Sequence, residues 1–306
     1  MGASPSTNSA VDPLAAAFAA DRAAVRAELE RLCARWLGDG GALADAIRYA
    51  LLGPGKLLRP ILLLAAYRAA GGAGNAVPLA AAPEVVHAYS LVHDDLPCMD
   101  DDDVRRGRPT THRAFGVPAA TVAGVAMVPL AALCALRAAG AVGLPEAARG
   151  RILRELMRAS GARGMVGGQM LDLAGEERAI SLGELEQTHR AKTGALILAA
   201  VRIGGIAAGA GAAQAEALDR YGAALGLAFQ IADDVLDATG TTAQLGKTAG
   251  RDAALGKTTY AALLGVDGAR RRAEALAGEA CEALEREGLL TPELRHLAHV
   301  AVSRQS

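Results

Sequence analysis

Two groups of aspartates combine residue types and spacings that could do chemistry. The first is His93-Asp94-Asp95-Leu96-Pro97-Cys98-Met99-Asp100-Asp101-Asp102-Asp103, with six aspartates in ten residues. Carboxylates this dense repel one another unless cations are bound. Asp94 and Asp95 close an apolar stretch containing Val85, Val86, Tyr89, Leu91 and Val92. Negative charge at a helix C-terminus opposes the macrodipole, and a bound cation would offset that cost. For Asp101 to Asp103 a solvated loop is an equal reading.

The second group lies in Gly226-Leu-Ala-Phe-Gln-Ile-Ala-Asp-Asp-Val-Leu-Asp237. On a helix, Gln230, Asp233, Asp234 and Asp237 fall at i, i+3, i+4 and i+7, along one face. Three carboxylates and an amide on an otherwise apolar helix need partners if buried. Mg²⁺ fits, because it takes a few carboxylates and fills its sphere with water and phosphate oxygens. A salt-bridge network is the competing reading, although no Lys or Arg cluster lies in the same helix.

Positive groups stand near glycines and helix starts: Gly55-Lys56-Leu57-Leu58-Arg59, Arg105-Arg106-Gly107, Lys192-Thr193-Gly194, and Lys247 and Lys257, each after a glycine. Each alone is a weak signal. Together with the acidic groups they describe a site for two polyanions, one held through metal and one held directly. Arginine suits the direct role, since its fork matches phosphate oxygens.

The elements that must position these groups read as helices. Apolar residues make up 52% of the 306 residues and aromatics 3%, with alanine abundant and strand-like alternation nearly absent. The periodicity predicts helices over 14–37, 43–52, 58–70, 119–139, 145–170, 181–190, 194–209, 212–237, 258–264, 268–286 and 291–303. A further helix is expected to start at Pro83 and run to about Leu96, where Pro97 disturbs it. No repeat and no linker divides the chain, so one all-α domain is expected over 14–306, after a disordered tail at 1–13.

The net charge of −1 gives no field for nucleic acid or an anionic membrane. Cys33, Cys98, Cys134 and Cys281 lack metal-knuckle or redox spacing and read as free thiols in a reducing cytosol. The N-terminal residues lack a basic region followed by an apolar run, so no signal peptide is expected. The uncharged stretch from Ala114 to Leu136 is long enough to span a bilayer. Its Pro118, Pro129 and many small residues favour a helix buried on all sides in a helical domain.

These motifs, in this order, resemble the trans-isoprenyl diphosphate synthase family, most closely its bacterial farnesyl diphosphate synthases. The likeness rests on HAYSLVHDDLPCMDDDDVRRGRPTTH, GGQMLDLAGE, HRAKTGALI and FQIADDVLD, and covers the chain from about residue 14. It implies a single helical bundle with a central cavity. It further implies that Asp94, Asp100 and Asp233 ligate Mg²⁺, with Asp95 and Asp237 in support and Mn²⁺ as the other candidate ion. Lys192, Thr193, Gln230, Lys247, Lys257 and Arg105 would hold the allylic diphosphate. Gly55, Lys56, Arg59, His87 and Arg106 would hold isopentenyl diphosphate; for His87 an ordinary buried histidine is the alternative.

The implied reaction is ionisation of dimethylallyl or geranyl diphosphate and condensation with isopentenyl diphosphate, giving (E,E)-farnesyl diphosphate. A geranylgeranyl product is the nearest rival; a terpene cyclase and a non-catalytic subunit are more distant ones. Tyr89, five residues before Asp94, takes the family's place for an aromatic that limits product length, and simple core packing is its other reading. The resemblance also implies a cytoplasmic homodimer. Three positions depart from the family pattern: Pro54 stands where a glycine is usual, Leu57 where a basic residue is usual, and Val125 where an aspartate is usual. Val125 is expected to support helix packing.

Overall fold

The computed structural model describes residues 13–176, 178–240 and 257–303, and these form a helical bundle. The chain runs α1 (Pro13–Trp36), α2 (Ala42–Leu51), α3 (Leu58–Ala69), α4 (Val77–Asp94), a hairpin of β1 (Val104–Arg105) and β2 (Arg108–Pro109), then α5 (Thr111–Phe115). It continues through α6 (Val117–Ala141), α7 (Glu146–Ser160), α8 (Met165–Ala174), α9 (Leu182–His189), a π-helical turn (Arg190–Gly194), α10 (Ala195–Ala208) and α11 (Ala212–Thr239). Two last helices, α12 (Tyr260–Glu285) and α13 (Pro292–Val302), close the described chain.

Most expected helices are present, and the differences have local causes. Helix α4 begins at Val77, one turn and a half before Pro83, because Pro78 already fills its first turn; Pro83 lies inside and is buried. The expected helix over 145–170 is two helices. Gly164 breaks it, with a backbone so close to the preceding turn that a Cβ there would lie 2.1 Å from the Ala159 carbonyl oxygen. The two helices expected between 258 and 286 do follow one another there, divided by a kink at Gly265, whose φ of 70° and ψ of 160° are not helical.

One large cluster of buried side chains joins α1 to α4 with α6, α7 and α10; it includes Val25, Leu29, Leu63, Leu79, Val85, Met127, Ile152 and Leu196. A second joins α3, α10, α11, α12 and α13 around Ile61, Leu62, Val201, Leu218, Tyr221 and Leu294. The Tyr221 hydroxyl donates to the Leu294 carbonyl at 2.9 Å, tying α11 to α13. Arg202 of α10 reaches Asp219 at 2.6 Å and Glu155 at 3.1 Å, clamping three helices together.

Helix α6 corrects the expectation of burial on all sides. Ala120, Ala123, Met127, Ala131 and Cys134 face inward, but Val122 is 52%, Val125 61%, Leu133 46% and Leu136 41% exposed. Val125 therefore contributes little packing within the chain. By length and composition alone, Val117–Ala141 and the stretch Leu182–Ala208 could cross a bilayer; each has one face packed into the bundle.

Candidate active site

The first aspartate group winds into a compact loop. Leu96, buried with Val92 and Ala120, pins it to the core. The Asp100 amide donates to the Asp94 carbonyl at 2.8 Å, and the Asp101 amide to Leu96 at 3.1 Å, so Asp94 and Asp100 become neighbours despite Pro97. Asp101 adopts a left-handed φ of 49° to make the return. Burial pushes the Asp94 carboxyl up to about 6; Lys192 opposes this and Asp100 adds to it. Asp100 Oδ1 is buried without a hydrogen-bond donor, with Lys257 Nζ at 3.6 Å.

Asp95 has a partner already. Arg105 Nε donates to its Oδ1 at 2.7 Å, and Nη2 lies 2.6 Å from the same oxygen. The hairpin aims that arginine. Arg106 and Gly107 at its tip have φ of 53° and 73°, the two positive angles of a tight two-residue turn. Thr110 donates to the Asp102 carbonyl at 2.7 Å and fastens the hairpin to the acidic loop. Resemblance assigns Asp95 to metal support and Arg105 to diphosphate; in the structure they pair with each other.

The π-helical turn connects this region with the second aspartate group. Its wider winding places Lys192 and Thr193 on different sides. Lys192 Nζ donates to Asp172 Oδ2 at 2.6 Å, while Thr193 donates to Gln230 Oε1 at 2.8 Å. Glycine makes the close approach feasible. A Cβ on Gly168 of α8 would lie 2.1 Å from the Lys192 amide nitrogen, and one on Gly226 of α11 would lie 2.7 Å from the Gly194 Cα. Lys257 also donates to Asp172 Oδ2, at 2.9 Å, and stands 3.3 Å from Glu176. Burial disfavours the charged form of Lys192, yet Asp172, Asp94 and Asp100 hold its pKa above the usual lysine range.

The aspartate stripe on α11 divides. Gln230 and Asp233 are half-buried and Asp237 is buried, but Asp234 turns to structural work. Its Oδ2 accepts from the Tyr260 amide at 2.9 Å and lies 3.1 Å from His189 Nε2; its Oδ1 accepts from Gln230 at 3.3 Å. It thus joins α9, α11 and the start of α12.

The arginine region lies beyond the hairpin. Arg106 Nη1 donates to the Pro54 carbonyl at 2.6 Å, and Arg26 donates to Gly55 at 3.1 Å. A Cβ on Gly55 would be 2.5 Å from Arg106 Nη1, so glycine is required for that arginine to lie there. Arg59 is buried with Nε unpartnered, and burial lowers its pKa to about 10 despite Glu84. Glu84 is buried with Oε2 unpartnered, and burial raises its carboxyl against the pull of Arg59, Arg106 and Arg26. His87 is held well below the ordinary histidine range by burial and by Arg59, Arg106 and Arg105, so it is neutral. Lys56 is exposed at the rim. Leu57 is buried in the large core cluster with a φ of 54°, so it adds no group to the site.

Tyr89 is nearly buried beneath the first group, edge-on to His93 at 5.1 Å. Among the expected residues, Lys247 lies outside the described residues. Sequence reading passed over Asp172, Glu84 and the bracing role of Asp234. A signal existed for two of them: Glu84 is the one charge in the apolar run from Val77 to Val86, and Asp172 the one acid between Met165 and Ala174.

Among the described residues, no three His, Cys, Asp or Glu side chains form a ready-made metal cage. The donors present still fit a hard divalent cation. Asp100 has a buried, undonated oxygen, and Asp94 bears a desolvation cost that a cation would relieve.

A family model described as polyprenyl synthetase matches residues 41–287. A farnesyl diphosphate synthase of Escherichia coli is 45% identical over 267 residues, 86% of this chain and 89% of that protein. A chloroplastic geranylgeranyl pyrophosphate synthase of Arabidopsis thaliana is 44% identical, covering 79% of this chain and 68% of the relative. The crystal structure of a Helicobacter pylori geranyltransferase complexed with magnesium and isoprenyl diphosphate superposes with a TM-score of 0.81 at 28% identity, over 96% of this chain and 98% of that one.

Proposed function

The chain belongs to the polyprenyl synthetase family, and we propose that it condenses isopentenyl diphosphate with dimethylallyl and then geranyl diphosphate to give (E,E)-farnesyl diphosphate. One observation carries the reading: two separate cationic regions lie along α4, lysines beside Asp94 and Asp100 at its C-terminal end and arginines around Glu84 at its middle. A single diphosphate needs one such region; a condensation of two needs both.

In this reading Asp94, Asp100 and Asp233 would hold Mg²⁺, whose positive charge would offset the negative charge of the allylic diphosphate. Lys192, Lys257 and Arg105 bind the leaving diphosphate and stabilise charge as its C–O bond breaks. Arg59 and Arg106 hold the second diphosphate, and neutral His87 can bridge to it without taking a proton. The double bond of isopentenyl diphosphate attacks the allylic cation, forming the new C–C bond. A proton then leaves, to the departing diphosphate. Thr193 and Gln230 present oxygens toward the developing cation, and Tyr89 lies where the growing chain would end. The site needs to exclude water, and the burial of Tyr89, Asp95, Leu96 and Asp237 supports that.

The exposed stripe of Val122, Val125, Leu133 and Leu136 on α6 supports a second copy of this chain as its cover, giving a homodimer; sedimentation should return twice the chain mass. A cytoplasmic location goes with this reading. The decisive experiment supplies dimethylallyl and isopentenyl diphosphates with Mg²⁺ and analyses the products. Mainly C15 product is expected, and it should vanish in Asp94→Ala and Asp233→Ala. Mainly C20 product would replace the farnesyl assignment, and full turnover in either variant would remove the mechanism.

A further inference from the structure

Two ammonium groups meet at one oxygen. Lys192 Nζ and Lys257 Nζ both donate to Asp172 Oδ2, at 2.6 and 2.9 Å, from positions 20 and 85 residues away in sequence. Like charges so close repel unless a counter-charge lies between them. Glu176, four residues on, adds a second carboxylate to Lys257 at 3.3 Å. The carboxylate is also fixed in place, because Gly168 seats α8 directly on the backbone of Lys192.

We propose that Asp172 is a positioning residue for the allylic diphosphate: its single oxygen keeps Lys192 and Lys257 side by side, as one dication presented to one polyanion. The inference rests on the reading that this diphosphate binds beside Asp94 and Asp100. Asp172 repels the incoming anion, so it does not act by contact. Without it, Lys257 is shared between Glu176 at 3.3 Å and Asp100 at 3.6 Å, and so leans on the first aspartate group. The lysine would then occupy an oxygen that the substrate complex needs. Burial of the Asp172 carboxyl opposes its charge, yet Lys192 and Lys257 hold it below the usual carboxylate range, consistent with a permanent anion between them.

The test compares wild type with Asp172→Asn and Asp172→Glu, using inorganic diphosphate binding by calorimetry and the KM of each substrate. The Asn variant keeps the side-chain shape, so it carries the test even where Asp172→Ala fails to fold. Expected are diphosphate binding and allylic KM weakened about 10- to 100-fold in Asp172→Asn, partial recovery in Asp172→Glu, and isopentenyl diphosphate KM unchanged within about twofold. Equal diphosphate binding by wild type and Asp172→Asn would overturn the inference, as would a parallel rise in both KM values. Failure of the wild type to bind diphosphate would instead remove the functional reading, and this inference with it.

Discussion

The two charged regions along α4, one at its C-terminal end and one at its middle, solve the same problem in opposite ways. On the lysine side, charges are paired before any substrate arrives: Lys192 and Lys257 on Asp172, Arg105 on Asp95. On the arginine side, Arg59 Nε and Glu84 Oε2 are both buried and both lack hydrogen-bond partners. Such orphaned groups cost about 1–3 kcal/mol each, more when charged. The lysine side therefore keeps its cations in place by internal ion pairs, and the buried oxygen it leaves undonated, Asp100 Oδ1, is on a carboxylate suited to a metal. The arginine side carries an unrelieved cost at Arg59 Nε, a donor that a bound anion can satisfy. Pairing gives order, and leaving groups unpaired gives readiness to bind.

The largest effect that could break this contrast comes from the buried pair. Arg59→Met leaves Glu84 buried among fewer counter-charges and should lower unfolding stability by about 3–5 kcal/mol in urea denaturation. Adding Glu84→Leu should restore much of that stability while isopentenyl diphosphate binding stays lost. If the single variant were as stable as wild type, the arginine side would not hold the strain described.

A middle-sized effect tests the other side. The folded pKa of Asp94 is raised to about 6, so its ionised form is disfavoured in the folded, metal-free protein. Its contribution to stability is present below the ordinary aspartate value, near 4, and is lost as pH rises through about 6. Metal-free Asp94→Asn should therefore gain about 1–3 kcal/mol over wild type at pH 7. The gain should shrink between pH 6 and pH 4, read as Tm against pH in chelator. A variant no more stable than wild type at pH 7 would mean that Asp94 is already neutralised by its neighbours.

The smallest effect is steric. Gly55→Ala puts a methyl within 2.5 Å of Arg106 Nη1, so the guanidinium must move. A cost near 1 kcal/mol corresponds to about a fivefold rise in isopentenyl diphosphate KM. The allylic KM should stay as it is, which separates the two regions kinetically.

Much of this was legible in the sequence, and particular residues show where legibility stopped. The period of α11 correctly placed Gln230, Asp233, Asp234 and Asp237 on neighbouring positions. Period alone could not tell that His189 and the Tyr260 amide cover Asp234. Proline and glycine were misjudged at 83 and 164 because their meaning depends on the turn before them: Pro78 moved one helix start, and Ala159 forced one break. The π-helical turn left no sequence signal, since its hydrogen-bond register follows from how closely Gly168 and Gly226 let neighbouring helices approach.

By itself, then, the sequence determined an all-α chain with two acidic groups and a set of cations able to serve diphosphates, because periodicity and residue chemistry are local properties. Only the tertiary structure decided which cation meets which carboxylate. Coulomb energy and hydrogen-bond geometry depend on distances of a few ångströms, and Asp172 gains its role from a lysine 85 residues away.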